Sequence, residues 1–423
     1  MRTLVTSGLI ESPTAPADRQ PAHMRKPSIA PPSKEYIERK YPHLRLQRED
    51  SFVYDVRAEY ARLGVRETTL HGDFRLDCDE NCDYSLCSTY PAELAVPTAA
   101  SAEAMRACAA HRGRGRLPIL SWRDPQSGVV LIRCAQPKQG LRFWKRSAGD
   151  EAWAALIREA SGELAIVDAR PLLNAVANHM RGGGYEHASD YGSTRPVHFC
   201  AIPNIHAVRA AFAAVAAGGG GAVGRWLDLQ ASLLGGAAHV ARLLAGERTS
   251  VFLHCSDGWD RTPQLTSLAM LLCDAHYRSL RGFAALVEKE WLSFGHCFDT
   301  RAGRRGPASK AAPIFEQFLD AVWQLVRQQP AAFEFGEAAL LALAAEARRT
   351  DGRGPFRGDS AAERAALAPP TQTVWEVLRG HRTGGAAADL GVLRPRCDAP
   401  SLAHWEALFR LAARPRGASE YSI

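Results

Sequence analysis

No run of about 18 consecutive apolar residues occurs in the 423-residue chain, so the ordinary signal for a membrane-spanning helix is missing and any membrane contact is expected to be peripheral. The opening segment, MRTLVTSGLIESPTAPADRQ, has one early arginine but only a short apolar stretch, which does not make a secretory signal. Ten cysteines are scattered from Cys78 to Cys397, a distribution that does not build a small disulfide framework and fits free thiols in a reducing, cytoplasmic setting. Cys78, Cys82 and Cys87 are the only close group. No second Cys/His pair stands at zinc-ligand spacing, so neither metal nor cofactor is expected. Lysine is scarce, at seven of 52 basic residues, while Ala, Gly and Arg are abundant throughout. Single arginines therefore carry little weight outside a motif. The formal charge of +7 suits an acidic ligand or an anionic surface without selecting either, and no nucleic-acid partner is expected.

With 46% hydrophobic and 23% charged residues, the chain has an ordinary globular composition and enough length for one large α/β domain or two average ones. Residues 1–50, rich in Pro, Ser and charge, read as a disordered leader, and 416–423 as a tail. The segment 52–65 has helical periodicity. LPILSW (117–122) and VVLIRC (129–134) predict a strand pair around Asp124-Pro125 and Ser127-Gly128. ELAIVDA (163–169), VHFCAI (197–202) and SVFLH (250–254) are short apolar runs that predict buried strands. Helices are predicted between and after them, at 174–180, 205–217, 223–245 and through Leu265, Leu268, Leu271 and Leu272. This alternation predicts an α/β domain with a central, largely parallel sheet flanked by helices. From Gly282 onward the chain reads as mostly helical, interrupted by the basic loop TRAGRRGPASK (300–310).

Chemistry concentrates in VFLHCSDGWDRT (251–262), where a buried strand enters a tight loop and then a helix. Cys255 and Arg261 are separated by five residues, enough chain to wrap a tetrahedral phosphate with backbone N–H groups pointing inward. Gly258 admits backbone conformations closed to other residues, and the following helix turns its N-terminus to the same anion. Pro263 suits the first helical turn. Arg261 can grip two phosphate oxygens. A positive environment of this kind favours the Cys255 thiolate, whose attack on phosphorus gives a cysteinyl-phosphate that water then hydrolyses. The leaving alkoxide needs a proton, and either Asp257 or Asp260 can supply it.

The string HCSDGWDRT, with Gly258 and Trp259 between Asp257 and Asp260, resembles the active-site loop of the myotubularin phosphatases. The blocks NCDYSLCSTYP (81–91), GRLPILSW (115–122), NAVANHMRGGGYE (174–186), IPNIHAVR (202–209) and GFAALVEKEWLSFGHCFDTR (282–301) are similar to family blocks in family order. The resemblance implies a cysteine-dependent phosphatase fold over 51–415 and release of the 3-phosphate from phosphatidylinositol 3-phosphate and the 3,5-bisphosphate. It implies Cys255 as nucleophile, Arg261 as phosphate binder and Asp260 as proton donor. By the same resemblance, Ser256, Asp257, Gly258 and Trp259 are expected to line the loop, Asn178, Asn204 and Ile205 to line the headgroup pocket, and Arg301 to meet the lipid's other phosphates. From the residues alone, Asn178 reads as a helix C-cap, Arg301 as a solvated loop charge, and Glu288–Trp291 as packing and surface. The family usually has Lys or Arg where Cys297 stands, so contact with the distal phosphates is expected to be weakened. The stretch before the phosphatase blocks is shorter than the family's lipid-binding PH-GRAM domain, and no coiled coil or FYVE module is read after them. The resemblance implies a homo-oligomer or a hetero-oligomer with other myotubularins, but membrane recruitment and dimerisation are usually assigned to those parts. The partner implied is a phosphoinositide headgroup at a membrane surface. The alternatives are a catalytically weak scaffold of the same family and a protein tyrosine or dual-specificity phosphatase.

Overall fold

The computed structural model describes residues 52–65, 73–139, 146–383 and 388–414; the predicted leader and the tail at 416–423 lie outside them. The first helix, α1 (Val56–Arg62), is capped by the Asp55 carboxylate, which accepts from the N–H groups of Arg57 and Ala58. A two-stranded antiparallel hairpin follows, β1 (Phe74–Asp77) with β2 (Leu94–Pro97). Next come α2 (Ala102–His111) and the predicted strand pair, β3 (Ile119–Arg123) and β4 (Val130–Ala135). After α3 (Ala148–Ser161) the chain enters β5 (Leu164–Asp168), α4 (Leu172–His179), β6 (His198–Phe199), α5 (Ile205–Ala216) and α6 (Ala222–Ala241). The last strand, β7 (Ser250–Cys255), leads into α7 (Arg261–Cys273), then α8 (Leu280–Val287), α9 (Phe298–Arg301), α10 (Ile314–Gln328) and α11 (Glu337–Arg348).

The main sheet runs β3-β4-β7-β5-β6, antiparallel between β3 and β4 and parallel elsewhere. All six residues of β7 are buried, as expected of a central parallel strand covered on both faces. Registers of Ala135 with Cys255 and Asp168 with His254 bring the carboxyl ends of β4, β5 and β7 to one level. In open α/β sheets this is where ligand crevices form.

Several elements depart from the sequence reading. The strand predicted over 197–202 shrinks to two residues, because Ala201 takes a positive φ of 56° and turns the chain out of the sheet. Backbone bonds from Cys200 to Asp168 and from Ile202 to Ala169 persist beyond it. The hairpin β1–β2 and the helices α2 and α3 fall in stretches that gave no element from sequence. In α3, Trp153, Ala154 and Ile157 are buried on one side, a stripe too narrow to stand out in an alanine-rich chain.

Candidate active site

Cys255 ends β7, and the loop to Arg261 closes over it. Gly258 has φ +77°, and a Cβ added there would stand 2.5 Å from the Cys134 carbonyl oxygen. Only glycine allows the loop to lie this close to β4. The Gly258 N–H donates to Cys255 Sγ at 3.3 Å, and the Thr262 hydroxyl donates to the same sulfur at 3.2 Å. The Gly258 carbonyl turns away and accepts from Arg116 Nη2 and Arg133 Nη2, each at 2.9 Å. Among the described residues, the N–H groups of Asp257, Trp259 and Asp260 have no protein acceptor. With its carbonyl side tied down and N–H groups free, the loop has the polarity of an anion nest at a helix start.

The predicted residues divide by what they touch. Half-buried Arg261 lies across the loop mouth, with Nη1 3.2 Å from the Ile202 carbonyl and Nη2 3.5 Å from Ser256 Oγ. Asn178 is not the C-cap of α4. Its side-chain amide donates to Ser256 Oγ at 2.9 Å and to Gln136 Oε1 at 3.4 Å. Asn204 is exposed and caps α5, its Oδ1 accepting from the N–H groups of His206 (3.0 Å) and Ala207 (3.3 Å). Ile205, the first residue of α5, is half-buried. The 202–205 segment thus reaches Arg261 through the Ile202 backbone, while the Asn204 side chain serves its own helix.

Arg301 is not a solvated loop charge. It grips the Asp260 carboxylate with Nε at 2.9 Å and Nη2 at 2.8 Å, while Nη1 donates to the Lys310 carbonyl at 3.0 Å. Burial alone would lift Asp260, but Arg301 outweighs it and holds the carboxyl below its usual range. Asp257 moves the other way. Its own desolvation, followed by the Asp260 charge, raises it above the ordinary aspartate value, and Arg114 at 3.9 Å only partly opposes this. Arg114 also lies over the Trp259 ring at 5.6 Å. Buried His296 is pushed down to about 4 by desolvation, so it is neutral and its Nδ1–H donates to the Trp259 carbonyl at 2.6 Å. Cys297 is 8% exposed, with Sγ 3.6 Å from the Asp359 carbonyl. Burial pushes its thiol up to about 12, so the position carries no charge.

Arginines given little weight in the sequence form the foundation of the site. Wholly buried Arg133 pairs with Glu290 at 2.7 Å, and Glu290 also accepts from Ser121 (2.7 Å) and Thr266 (2.6 Å). Glu288–Trp291 is thus packing but not surface: Lys289, Glu290 and Trp291 are all buried, with Lys289 against Glu59 at 2.9 Å. On the other side of β7, Arg112 binds both oxygens of Asp150 and also Glu186. Glu186 sits 2.7 Å from His254 Nε2, and His254 Nδ1 is 3.0 Å from the Cys255 carbonyl. The Cys255 carbonyl can only accept, so Nδ1 carries the proton facing it, and the close approach of Glu186 favours a second proton on Nε2. Burial opposes that charge, yet Glu186 outweighs it and raises the imidazole above its ordinary value. Gln136, which receives both Arg170 and Asn178, was likewise without a motif to mark it.

The basic loop 300–310 is also more structural than its composition predicts. Arg304 pairs with Asp299 at 2.7 Å and donates to the carbonyls of Ala347, Arg349 and Phe356. Arg305 pairs with Glu363 at 2.6 Å, and Lys310 is exposed. Cys78 is half-buried, Cys82 exposed and Cys87 buried; no cluster of three His, Cys, Asp or Glu suited to a metal ion occurs among the described residues. No helix among the described residues is long and apolar enough to cross a membrane.

The sequence of the chain is similar to those of known phosphatases. The model of the myotubularin-like phosphatase domain matches residues 35–365. Myotubularin of Xenopus laevis is 42% identical over 308 residues, covering 69% of this chain and 50% of the frog protein. Myotubularin of Rattus norvegicus is 40% identical over 348 residues, covering 78% of this chain and 57% of its own length. The phosphatidylinositol-3,5-bisphosphate 3-phosphatase MTMR2 of Gallus gallus is 42% identical over 308 residues, covering 69% of this chain and 53% of its own. The chain spans about half the length of the curated relatives it matches.

Proposed function

The chain belongs to the myotubularin-like phosphatase family, and on that premise we propose that it removes the 3-phosphate from phosphatidylinositol 3-phosphate, and from the 3,5-bisphosphate, through a cysteinyl-phosphate on Cys255. The observation that carries this reading is the loop at Cys255, whose sulfur receives two hydrogen bonds, whose further N–H groups are without a protein acceptor among the described residues, and whose Ser256 faces Arg261. Sγ attacks phosphorus, the bond to the inositol 3-oxygen breaks, and that oxygen takes a proton. Arg261 and the inward N–H groups hold the equatorial oxygens as charge shifts. Water then attacks the cysteinyl-phosphate, gives a proton to the carboxylate left by the first step, and phosphate departs with Sγ restored as thiolate.

Asp260 is our proton donor, and its pairing with Arg301 supplies a condition for that role. While Arg301 grips it, Asp260 is ionised and cannot donate. A headgroup phosphate that draws Arg301 to itself removes the counter-ion and lets Asp260 bind a proton at the moment substrate arrives. The upward shift of Asp257 supports a second reading, in which Asp257 is the donor and Asp260 only positions Arg301.

Phosphate release from short-chain phosphatidylinositol 3-phosphate, the 3,5-bisphosphate and a phosphotyrosine peptide tests the proposal. Both lipids should turn over, the peptide poorly, and Cys255→Ser should be inactive. No release from either lipid by the intact protein would overturn the proposal in favour of a scaffold, and preference for the peptide in favour of a protein phosphatase. A loss of about 100-fold in Asp260→Ala with Asp257→Ala near normal assigns the proton to Asp260, and the reverse assigns it to Asp257.

A further inference from the structure

Ser256, the residue after the nucleophile, is bordered by two neutral amides. The Asn178 side chain donates to its hydroxyl at 2.9 Å, and the backbone N–H of Gln136 donates to its carbonyl at 3.1 Å. Gln136 directly follows Ala135, the last residue of β4, which is in register with Cys255. Its side chain therefore starts at the carboxyl end of the sheet, one residue from the level of the reacting sulfur. Chemistry fixes which way the amide turns. Arg170 has only N–H groups to offer, so the amide oxygen must face it, and Asn178 Nδ2 approaches the same oxygen at 3.4 Å. Arg170 is firmly held: wholly buried, it binds both oxygens of Asp168 and donates to the Gly184 carbonyl at 2.7 Å. Gly183 closes against the amide, where a Cβ would stand 2.6 Å from Nε2. Gln136 thus has its oxygen saturated and its nitrogen unused. The side chain is half-buried, and Nε2 has no acceptor among the described residues. An amide oriented by a buried ion pair, with its N–H groups left over beside the phosphate loop, is more than packing requires.

We propose that Gln136 reads the inositol ring: Nε2 donates to a hydroxyl next to the 3-phosphate, and this contact separates the headgroup from phosphate esters that lack such a hydroxyl. With its oxygen engaged, the amide can only donate, so the ligand atom it meets must be an acceptor. The phosphate oxygens already have the loop N–H groups and Arg261, and the two loop carboxylates have Arg114 and Arg301. A neutral donor beside Ser256 is left for the neutral part of the headgroup. On an inositol 3-phosphate the nearest such acceptors are the hydroxyls on the two carbons flanking the phosphate, and an aryl phosphate has neither. A site built to bond a substrate hydroxyl discriminates against the analogue without it, because the site's own polar group is then left unpaired. The inference rests on the lipid-phosphatase reading, and it names the group that recognises the substrate's ring.

The test pairs substitutions in the full chain with deletions in the substrate. kcat/KM is measured for short-chain phosphatidylinositol 3-phosphate, its 2-deoxy and 4-deoxy analogues and p-nitrophenyl phosphate, using the unmodified protein, Gln136→Leu and Gln136→Glu. Gln136→Glu keeps an oxygen for Arg170 and Asn178 and loses only the donor. Either substitution should lower kcat/KM for the parent lipid about tenfold, chiefly through KM, and by a larger factor than for p-nitrophenyl phosphate. One deoxy analogue should be about tenfold poorer than the parent for the unmodified protein, yet equal to the parent for the variants, which identifies the hydroxyl. Additive losses on both analogues overturn the proposal, as does an equal loss on lipid and aryl phosphate. A normal rate in Gln136→Glu beside a loss in Gln136→Leu also overturns it, leaving Gln136 as a prop for Arg170 and Asn178. Binding separates this inference from the enzymatic reading. In a Cys255→Ser background, calorimetry with inositol 1,3-bisphosphate should show about tenfold weaker binding after Gln136→Leu. Absent or undiminished binding overturns the proposal even where lipid is hydrolysed, and diminished binding upholds it even if the intact protein releases no phosphate from lipid.

Discussion

Replacing Arg133 with methionine separates what the buried foundation contributes to stability from what it contributes to catalysis. Arg133 and Glu290 are both fully buried and meet at 2.7 Å, and Arg133 also holds the Gly258 carbonyl. Arg133→Met leaves Glu290 as a buried charge with only the Ser121 and Thr266 hydroxyls, which should cost about 3 kcal/mol. Glu290→Met strands the Arg133 guanidinium, softened by its bonds to two backbone carbonyls, and should cost a similar ~3 kcal/mol. Arg133→Met/Glu290→Met removes both charges and leaves two hydroxyls without an acceptor, for a net loss of about 2 kcal/mol. The cycle therefore predicts a coupling of about 4 kcal/mol, measured by urea unfolding followed through tryptophan fluorescence. Catalysis should follow a different pattern. Every variant lacking Arg133 leaves the Gly258 carbonyl with Arg116 alone, and a loosened loop should lower kcat about tenfold in single and double variants alike. Additive stability losses, within about 0.5 kcal/mol, would refute the buried-pair reasoning. Recovery of full kcat in the double variant would refute the claim that Arg133 holds the loop in shape.

Three further outcomes are expected. Gly258→Ala places a Cβ 2.5 Å from the Cys134 carbonyl at a φ of +77°; thermal unfolding should show a loss of about 3 kcal/mol, and turnover should fall at least about 100-fold. His254 has a raised folded-state pKa, so its contribution is complete below the unfolded value near about pH 6.5 and is lost as pH rises through the folded one. Stability measured across neutral to alkaline pH should decline in the unmodified protein, and Glu186→Gln should flatten that decline. Arg304→Ala frees Asp299 and three backbone carbonyls and should destabilise by about 2 kcal/mol, whereas Lys310→Ala, at an exposed position, should stay within about 0.5 kcal/mol; equal effects would restore the loop to simple solvated charge.

The central strand and its loop were legible because their information is local. A run such as Ser250–Cys255 can only be buried on both faces. A Gly at the middle of Cys-x5-Arg marks a backbone position that other residues avoid, and the clash at Cys134 supplies the reason. The short β6 was overestimated because the positive φ at Ala201 has no signature in an alanine. Asn178 was ambiguous for a similar cause, since a helix-end asparagine and one reaching a loop 78 residues away look alike in sequence. Arg112, Arg116 and Arg133 were invisible against an arginine-rich background, because burial distinguishes them and composition does not.

The sequence by itself determined the chemistry: a thiol, a guanidinium and two carboxylates on a loop that only glycine allows to close. Tertiary structure decided the state of those groups. Arg301 arrives from the end of a short helix, 40 residues downstream of Arg261, and holds Asp260 ionised, while Asp257 is left to rise. Residues from α4 and the buried arginines fix the loop from opposite sides. Proton affinity and exposure depend on neighbours across the fold, at distances that no local pattern encodes.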